Sequence, residues 1–185
     1  MKFAHVALAT VLFAASPVLA RPVAGVEVSE TISVEGKTLK LNGAGIRKKF
    51  VVKVYVGALY LEEASTDAAA IIKSDDVRVV KMTFLREVEK AKLVGAFKEG
   101  FEKNSAAKAA SLQPHLDKIS AAIGDAKNGT VMTVSYAPGK GTTISMQGSG
   151  SVTIEGKDFA DAMFLNWIGS KPADDGLKTE MLAGK

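Results

Sequence analysis

The 185-residue sequence contains no cysteine and only two histidines. Without cysteine there is no disulfide framework, no thiolate metal site and no cysteine nucleophile. His5 falls in an N-terminal apolar run, which leaves His115, beside Pro114, with Asp117 as its nearest carboxylate in sequence. One imidazole falls short of the ligand set of a zinc site and gives no basis for a Ser-His-Asp hydrolase. No metal or cofactor is therefore expected. Charge of one sign is also lacking: 24 Lys and Arg face 20 Asp and Glu and are interspersed with them. Nucleic-acid binding wants clustered basic residues, so no such partner is expected. Beyond the first 20 residues no apolar run approaches the roughly 20 residues of a membrane span.

Those first residues have the three parts of an export leader. Met1-Lys2 is basic, Phe3 to Ala15 is apolar except for His5 and Thr10, and Ser16-Pro17-Val18-Leu19-Ala20 supplies a small-x-small cleavage pattern. The expectation is a signal peptide over 1–20, cleaved after Ala20, and a periplasmic or secreted protein. Residues 21–185 then suit one domain, which at that size buries roughly 70% of its unfolded surface. Oligomeric state is not legible.

Val26–Val34 and Thr38–Leu41 alternate around Glu35-Gly36-Lys37, a hairpin signal. Gly43 and Gly45 resemble the start of a dinucleotide fingerprint, but no third glycine or helix follows, so a tight turn is expected. A strand from about Lys49 to Glu62 is apolar on both faces: Tyr55, Gly57, Leu59 and Leu61 on one, Val54, Val56, Ala58 and Tyr60 on the other. It should be covered on both sides. Ser65–Lys73 reads as a helix capped by Ser65 or Thr66, and Val77–Leu85 as a strand. Glu87–Asn104 is helical, with Val88, Ala91, Val94 or Gly95, Phe97 and Phe101 inward and Asn104 as its stop. Ala106–Ile123 is helical but broken or restarted at Pro114. Thr130–Ala137, Thr142–Gln147 and Ser151–Glu155 form a strand meander. Asp158–Gly169 is helical, with Phe159, Met163, Phe164, Trp167 and Ile168 as its apolar stripe, and a last helix starts near Pro172. This order implies an α+β fold, a large antiparallel sheet with a layer of helices on one face.

Four residues stand out as ligand-binding candidates. Arg47 precedes an apolar strand, where a guanidinium can hold a carboxylate bidentately or simply lie on the surface. Tyr55 lies on that strand. Arg86 closes a strand, with Glu87 and Glu89 available as simple ion-pair partners. Asn166 is the one polar residue near the apolar stripe of its helix, facing either solvent or a cavity.

Gly43-Ala44-Gly45-Ile46-Arg47, then Val54 to Glu62 (VYVGALYLE), and later Asn166-Trp167-Ile168-Gly169 with Leu177-Lys178, resemble the chalcone isomerase family over nearly the whole chain after the leader. The resemblance implies a chalcone isomerase-like fold with a cleft between sheet and helices. Plant enzymes of that family use an arginine, a strand threonine, a helix tyrosine and asparagine, and a late serine or threonine. Arg47 matches the arginine, Tyr55 stands at the threonine and Asn166 at the late hydroxyl. The Glu87–Asn104 helix has no tyrosine, and its only asparagine is at its far end. Positioned donors supply much of such catalysis, so isomerase activity is not expected; the alternative is an intramolecular lyase acting on an unsaturated ketone.

The arginine-plus-tyrosine pair resembles instead the family's fatty-acid-binding branch. The implied ligand is a small amphipathic anion such as a fatty acid, with Arg47 and Tyr55 on its headgroup. Eight residues separate them, about 26 Å along a straight strand at ~3.3 Å per residue. They share a headgroup only if the chain turns or bulges near Lys48-Lys49. A third reading is a structural protein whose cleft is closed by Phe97, Phe101, Phe164 and Trp167.

Overall fold

A computed structural model describes residues 20–184. The leader expected over 1–20 lies outside them except for Ala20, which pairs with Ser29 at the start of the first strand. Strands β1 (Ala20–Val23) and β2 (Val26–Ser29) form a two-stranded sheet. A second sheet runs in the order β3 (Thr31–Val34), β4 (Lys37–Lys49), β5 (Val52–Leu61), β6 (Arg78–Phe84), β7 (Val131–Ala137), β8 (Gly141–Met146), β9 (Ser151–Ile154). Each neighbouring pair is antiparallel. Helix α1 (Ala68–Lys73) links β5 to β6; α2 (Lys90–Asn104) and α3 (Ala109–Ala122) lie between β6 and β7; α4 (Lys157–Ile168) and α5 (Asp175–Met181) close the chain. The architecture is the expected α+β sheet with a helical layer. Among the described residues no helix is long and apolar enough to cross a membrane.

β5 sits inside the sheet and is buried from Val54 to Leu61. On the helix side Leu59 joins Met82, Phe84, Phe97, Phe101, Phe164 and Trp167 in the larger core. On the other side Val56, Ala58 and Tyr60 pack with Leu39, Leu41, Val79 and Val28 of β2. The Tyr60 hydroxyl donates to the Ser29 carbonyl at 3.0 Å and ties the small sheet down. The two-sided apolarity of β5 thus corresponds to a strand covered on both faces.

Gly43 and Gly45 do not form a turn. They lie within β4, opposite Leu59 and Gly57. Their spacing of two puts them on one face, where α5 rests: a Cβ on Gly43 would stand 2.0 Å from the Glu180 carbonyl, and one on Gly45 would stand 2.1 Å from the Glu180 carboxylate. The missing side chains let helix backbone approach sheet backbone. The turn comes later, at Phe50-Val51, between the pair Lys49 and Val52.

Other boundaries also moved. Asp67, not Ser65 or Thr66, caps α1, its carboxylate accepting from the Ala69 and Ala70 amides. Helix α3 runs through Pro114; the amide bond that proline forfeits would have gone to the Ala110 carbonyl, in an exposed first turn that water can satisfy. Asn104 ends α2 as expected, and its side chain holds Lys171 by bonds of 2.8 and 2.9 Å.

Arg78 on β6 is 1% exposed. Its guanidinium donates to the Ile71 and Ser74 carbonyls at the end of α1 and to Asp161 of α4 at 2.6 Å, and lies over the rings of Tyr136 and Phe164. It is a buried junction of α1, α4 and the sheet.

Candidate functional site

The β4–β5 hairpin sets the geometry of the site. Its tight turn folds β5 back along β4, so that Arg47 and Tyr55 become cross-strand partners. The register then shifts between Arg47 and Lys48, leaving Val54 as an extra residue that bulges from β5. The bulge breaks the expected alternation: Val54 and Tyr55 both belong to the helix-side core. Turn and bulge together remove the 26 Å separation of a straight strand.

Above this hairpin a cleft of about 530 Å³ opens between the sheet and helices α2 and α4. Its apolar wall includes Val54, Met82, Phe84, Leu93, Phe97 and Trp167. Volume and lining fall within the range of small-molecule sites. Arg47, Tyr55, Arg86 and Asn166 all line it. Phe97 and Trp167 form wall, while Phe101 and Phe164 lie in the core behind; the four aromatics do not fill the cleft.

Arg47 is half-buried and has no carboxylate within ion-pair distance among the described residues. Its guanidinium carbon lies 5.8 Å from the centroid of the Tyr55 ring, inside cation–π range. Tyr55 is 6% exposed, and its ring meets Phe84 edge-on at 5.6 Å. Its hydroxyl oxygen accepts from Trp167 Nε1 at 3.0 Å, and the phenolic proton has no acceptor among the described residues. Burial pushes the phenol up to about 12, opposed in part by the Arg47 charge and the Trp167 donor. At neutral pH the cleft therefore presents a guanidinium and a neutral phenol with a proton to give.

The other two candidates play different parts. Arg86 stands exposed at the rim, and the pairing with Glu87 or Glu89 open to it in sequence is not formed: Glu89 binds Lys92 at 2.9 Å instead. Asn166 is buried, but its amide group is committed to its own helix, donating to the Met163 carbonyl at 2.8 Å and the Ala162 carbonyl at 3.3 Å. Its oxygen faces Gly100 of α2 so closely that a Cβ there would stand 1.5 Å away. Asn166 thus spaces α4 against α2 at the back of the cleft.

The helical spacing of Trp167 places it in the core, and it also fixes the Tyr55 hydroxyl. The signal was the residue itself: a buried indole N–H needs an acceptor.

A family profile described as chalcone isomerase-like matches residues 20–183. The chain belongs to this chalcone isomerase-like family. No curated protein matches it. Among solved structures it is similar to the fatty-acid binding protein of Arabidopsis thaliana, at 14% identity, with a TM-score of 0.68, over 89% of this chain and 95% of that one. At that identity the likeness establishes the shared fold. Within this chalcone isomerase-like chain, Tyr55 is the one hydroxyl among the described residues lining the cleft, and no histidine lines it. The carboxylates among the described lining residues are Glu87 and Glu99, and Glu99 binds Lys103. The lining sets cationic groups and one phenol beside an apolar wall, an arrangement that can hold an anion and an apolar chain.

Proposed function

We propose that this protein is an exported, non-enzymatic member of its family that binds a fatty acid, carboxylate outward, in the cleft between sheet and helices. One observation carries the reading: a half-buried arginine without an ion-pair partner among the described residues stands beside a phenol whose proton has no acceptor among them, at an apolar cleft. A guanidinium in such a place favours an anion that accepts its fork of donors, and the cleft volume suits an acyl chain. The Arabidopsis relative in fold is itself a fatty-acid binding protein, which supports the same ligand class. The leader-like first 20 residues support export to the periplasm or beyond. The plant-type isomerase reaction is disfavoured, because α2 contributes no tyrosine and Asn166 spends its donors on its own helix.

Native mass spectrometry of the delipidated protein, re-exposed to fatty acids of different length, tests the proposal. Wild type should retain one ligand and Arg47→Ala should lose it. No retention by wild type, or equal retention by the variant, rejects the reading. A chalcone cyclisation assay on the same preparation should stay at background.

A further inference from the structure

The tip of the β4–β5 hairpin is apolar, strained and surrounded by positive charge. Phe50 and Val51 are 92% and 93% exposed, and Val52 follows at 37%. Single exposed apolar residues are ordinary, but three in succession at the end of a projecting hairpin are not. Phe50 also holds φ at +56°, where a bulky side chain is unfavourable and asparagine or glycine is the usual choice. Lys48 and Lys53 are direct cross-strand partners, a like-charge pair that costs stability in a sheet. Neither they nor Lys49 has an ion-pair partner among the described residues. The exposed apolar side chains and the crowded lysines are unfavourable in water and favourable against a surface that is apolar beneath and anionic above.

We propose that this hairpin tip docks the protein on a bilayer carrying anionic headgroups, with Phe50 and Val51 entering the headgroup–acyl boundary and Lys48, Lys49 and Lys53 meeting lipid phosphates. Apolar burial and attraction to anionic lipid together set such binding. A second copy of the chain would bring the same lysines against each other, so charge favours the bilayer over self-association. Lys49, Phe50 and Val52 also line the cleft. Docking therefore turns the cleft toward the membrane, and if the fatty-acid reading holds, an acyl chain passes between bilayer and cleft without crossing open water. The docking itself does not depend on that reading.

The test is co-sedimentation of the purified protein with phosphatidylcholine vesicles with and without phosphatidylglycerol. Because the chain has no cysteine, Val51→Cys accepts a single environment-sensitive fluorophore at the tip. Binding to phosphatidylglycerol vesicles, a blue shift of the label and release by salt are expected. Lys48→Gln and Lys53→Gln should each weaken binding about fivefold, on the scale of one basic residue at an anionic surface, and Val51→Ser should weaken it further. These three positions lie outside the cleft, so titration with a soluble fatty acid should be unchanged in them, which separates failure of docking from failure of the cleft assignment. No vesicle binding, equal binding with and without anionic lipid, or wild-type affinity in the variants would overturn the proposal. So would a concentration-dependent dimer in sedimentation equilibrium that Val51→Ser abolishes.

Discussion

Arg47 and Tyr55 face each other across the β4–β5 hairpin, the guanidinium carbon 5.8 Å from the centroid of the phenol ring. A two-residue turn and a one-residue bulge bring together groups that a continuous strand would hold far apart. The pair then combines a permanent positive charge with a neutral hydrogen-bond donor.

The two arginines of the cleft should behave differently. Arg47 is half-buried beside the phenol, whereas Arg86 is an exposed rim residue. A charge-assisted hydrogen bond contributes about 1.5–3 kcal/mol, so Arg47→Gln should weaken fatty-acid binding about 10- to 100-fold by calorimetry. Arg86→Gln should stay within a few-fold of wild type. Equal losses in both variants would mean that the headgroup sits at the rim.

Tyr55→Phe removes the acceptor of the Trp167 indole N–H as well as a ligand donor. A buried donor left without a partner costs about 1–3 kcal/mol. Denaturant unfolding should show that loss even without ligand. The emission of Trp167, the one tryptophan in the chain, should also change. A variant as stable as wild type would show that water replaces the hydroxyl.

Alkaline pH should destabilise the fold. Tyr55, Tyr60 and Tyr136 are each pushed up to about 12, mainly by burial. The unfolded chain releases these protons near pH 10 while the folded chain still holds them. Between pH 10 and 12 the unfolded state therefore binds fewer protons, and the unfolding free energy falls as pH rises. Two units at Tyr55 correspond to about 2–3 kcal/mol. Absorbance at alkaline pH should show phenolate appearing together with loss of near-ultraviolet circular dichroism. Tyrosines that ionise near pH 10 in a folded protein would contradict the burial argument.

The two glycines of β4 should differ under substitution by alanine. At Gly43 the obstacle is the Glu180 carbonyl with the Met181 backbone; at Gly45 it is the Glu180 side chain. The Glu180 carboxylate can swing aside, but its Cβ, 2.7 Å from the same point, is fixed to the helix, so α5 must move as a unit for either substitution, and farther for Gly43. Gly43→Ala should therefore lose about 1–3 kcal/mol, the usual cost of overpacking, and Gly45→Ala a smaller but measurable amount. Thermal melts of the two variants decide it, and the reverse order would mean that α5 shifts freely on the sheet.

Much of the chain could be read locally. The two-sided apolarity of β5, the stripe of α4 and the Pro-Gly-Lys-Gly link between β7 and β8 each follow from periodicity and turn chemistry acting over a few residues. Arg47, Tyr55, Arg86 and Asn166 were singled out by type and neighbourhood, and they line one cleft. Their individual roles were not legible. Asn166 is open in sequence to solvent or to a cavity, whereas its amide is bound to its own helix, and the carboxylates adjacent to Arg86 do not pair with it among the described residues. Arg78 carries no local signal of its burial, because its carboxylate partner, Asp161 of α4, lies 83 residues away.

The Gly43-Ala44-Gly45 segment marks the boundary most clearly. The sequence by itself determined that side chains were absent at alternate positions, which in a strand means one face. It also determined that an arginine followed two residues after Gly45 and a tyrosine eight residues after that arginine. Only the tertiary structure decided that the bare face is filled by α5, and that the chain reverses at Phe50-Val51 rather than at the glycines. The physical reason is that a glycine in a turn and a glycine under a close-packed helix satisfy different constraints with the same atoms. Which constraint operates depends on residues 174–182, about 130 positions along the chain, and no local pattern encodes a contact of that separation.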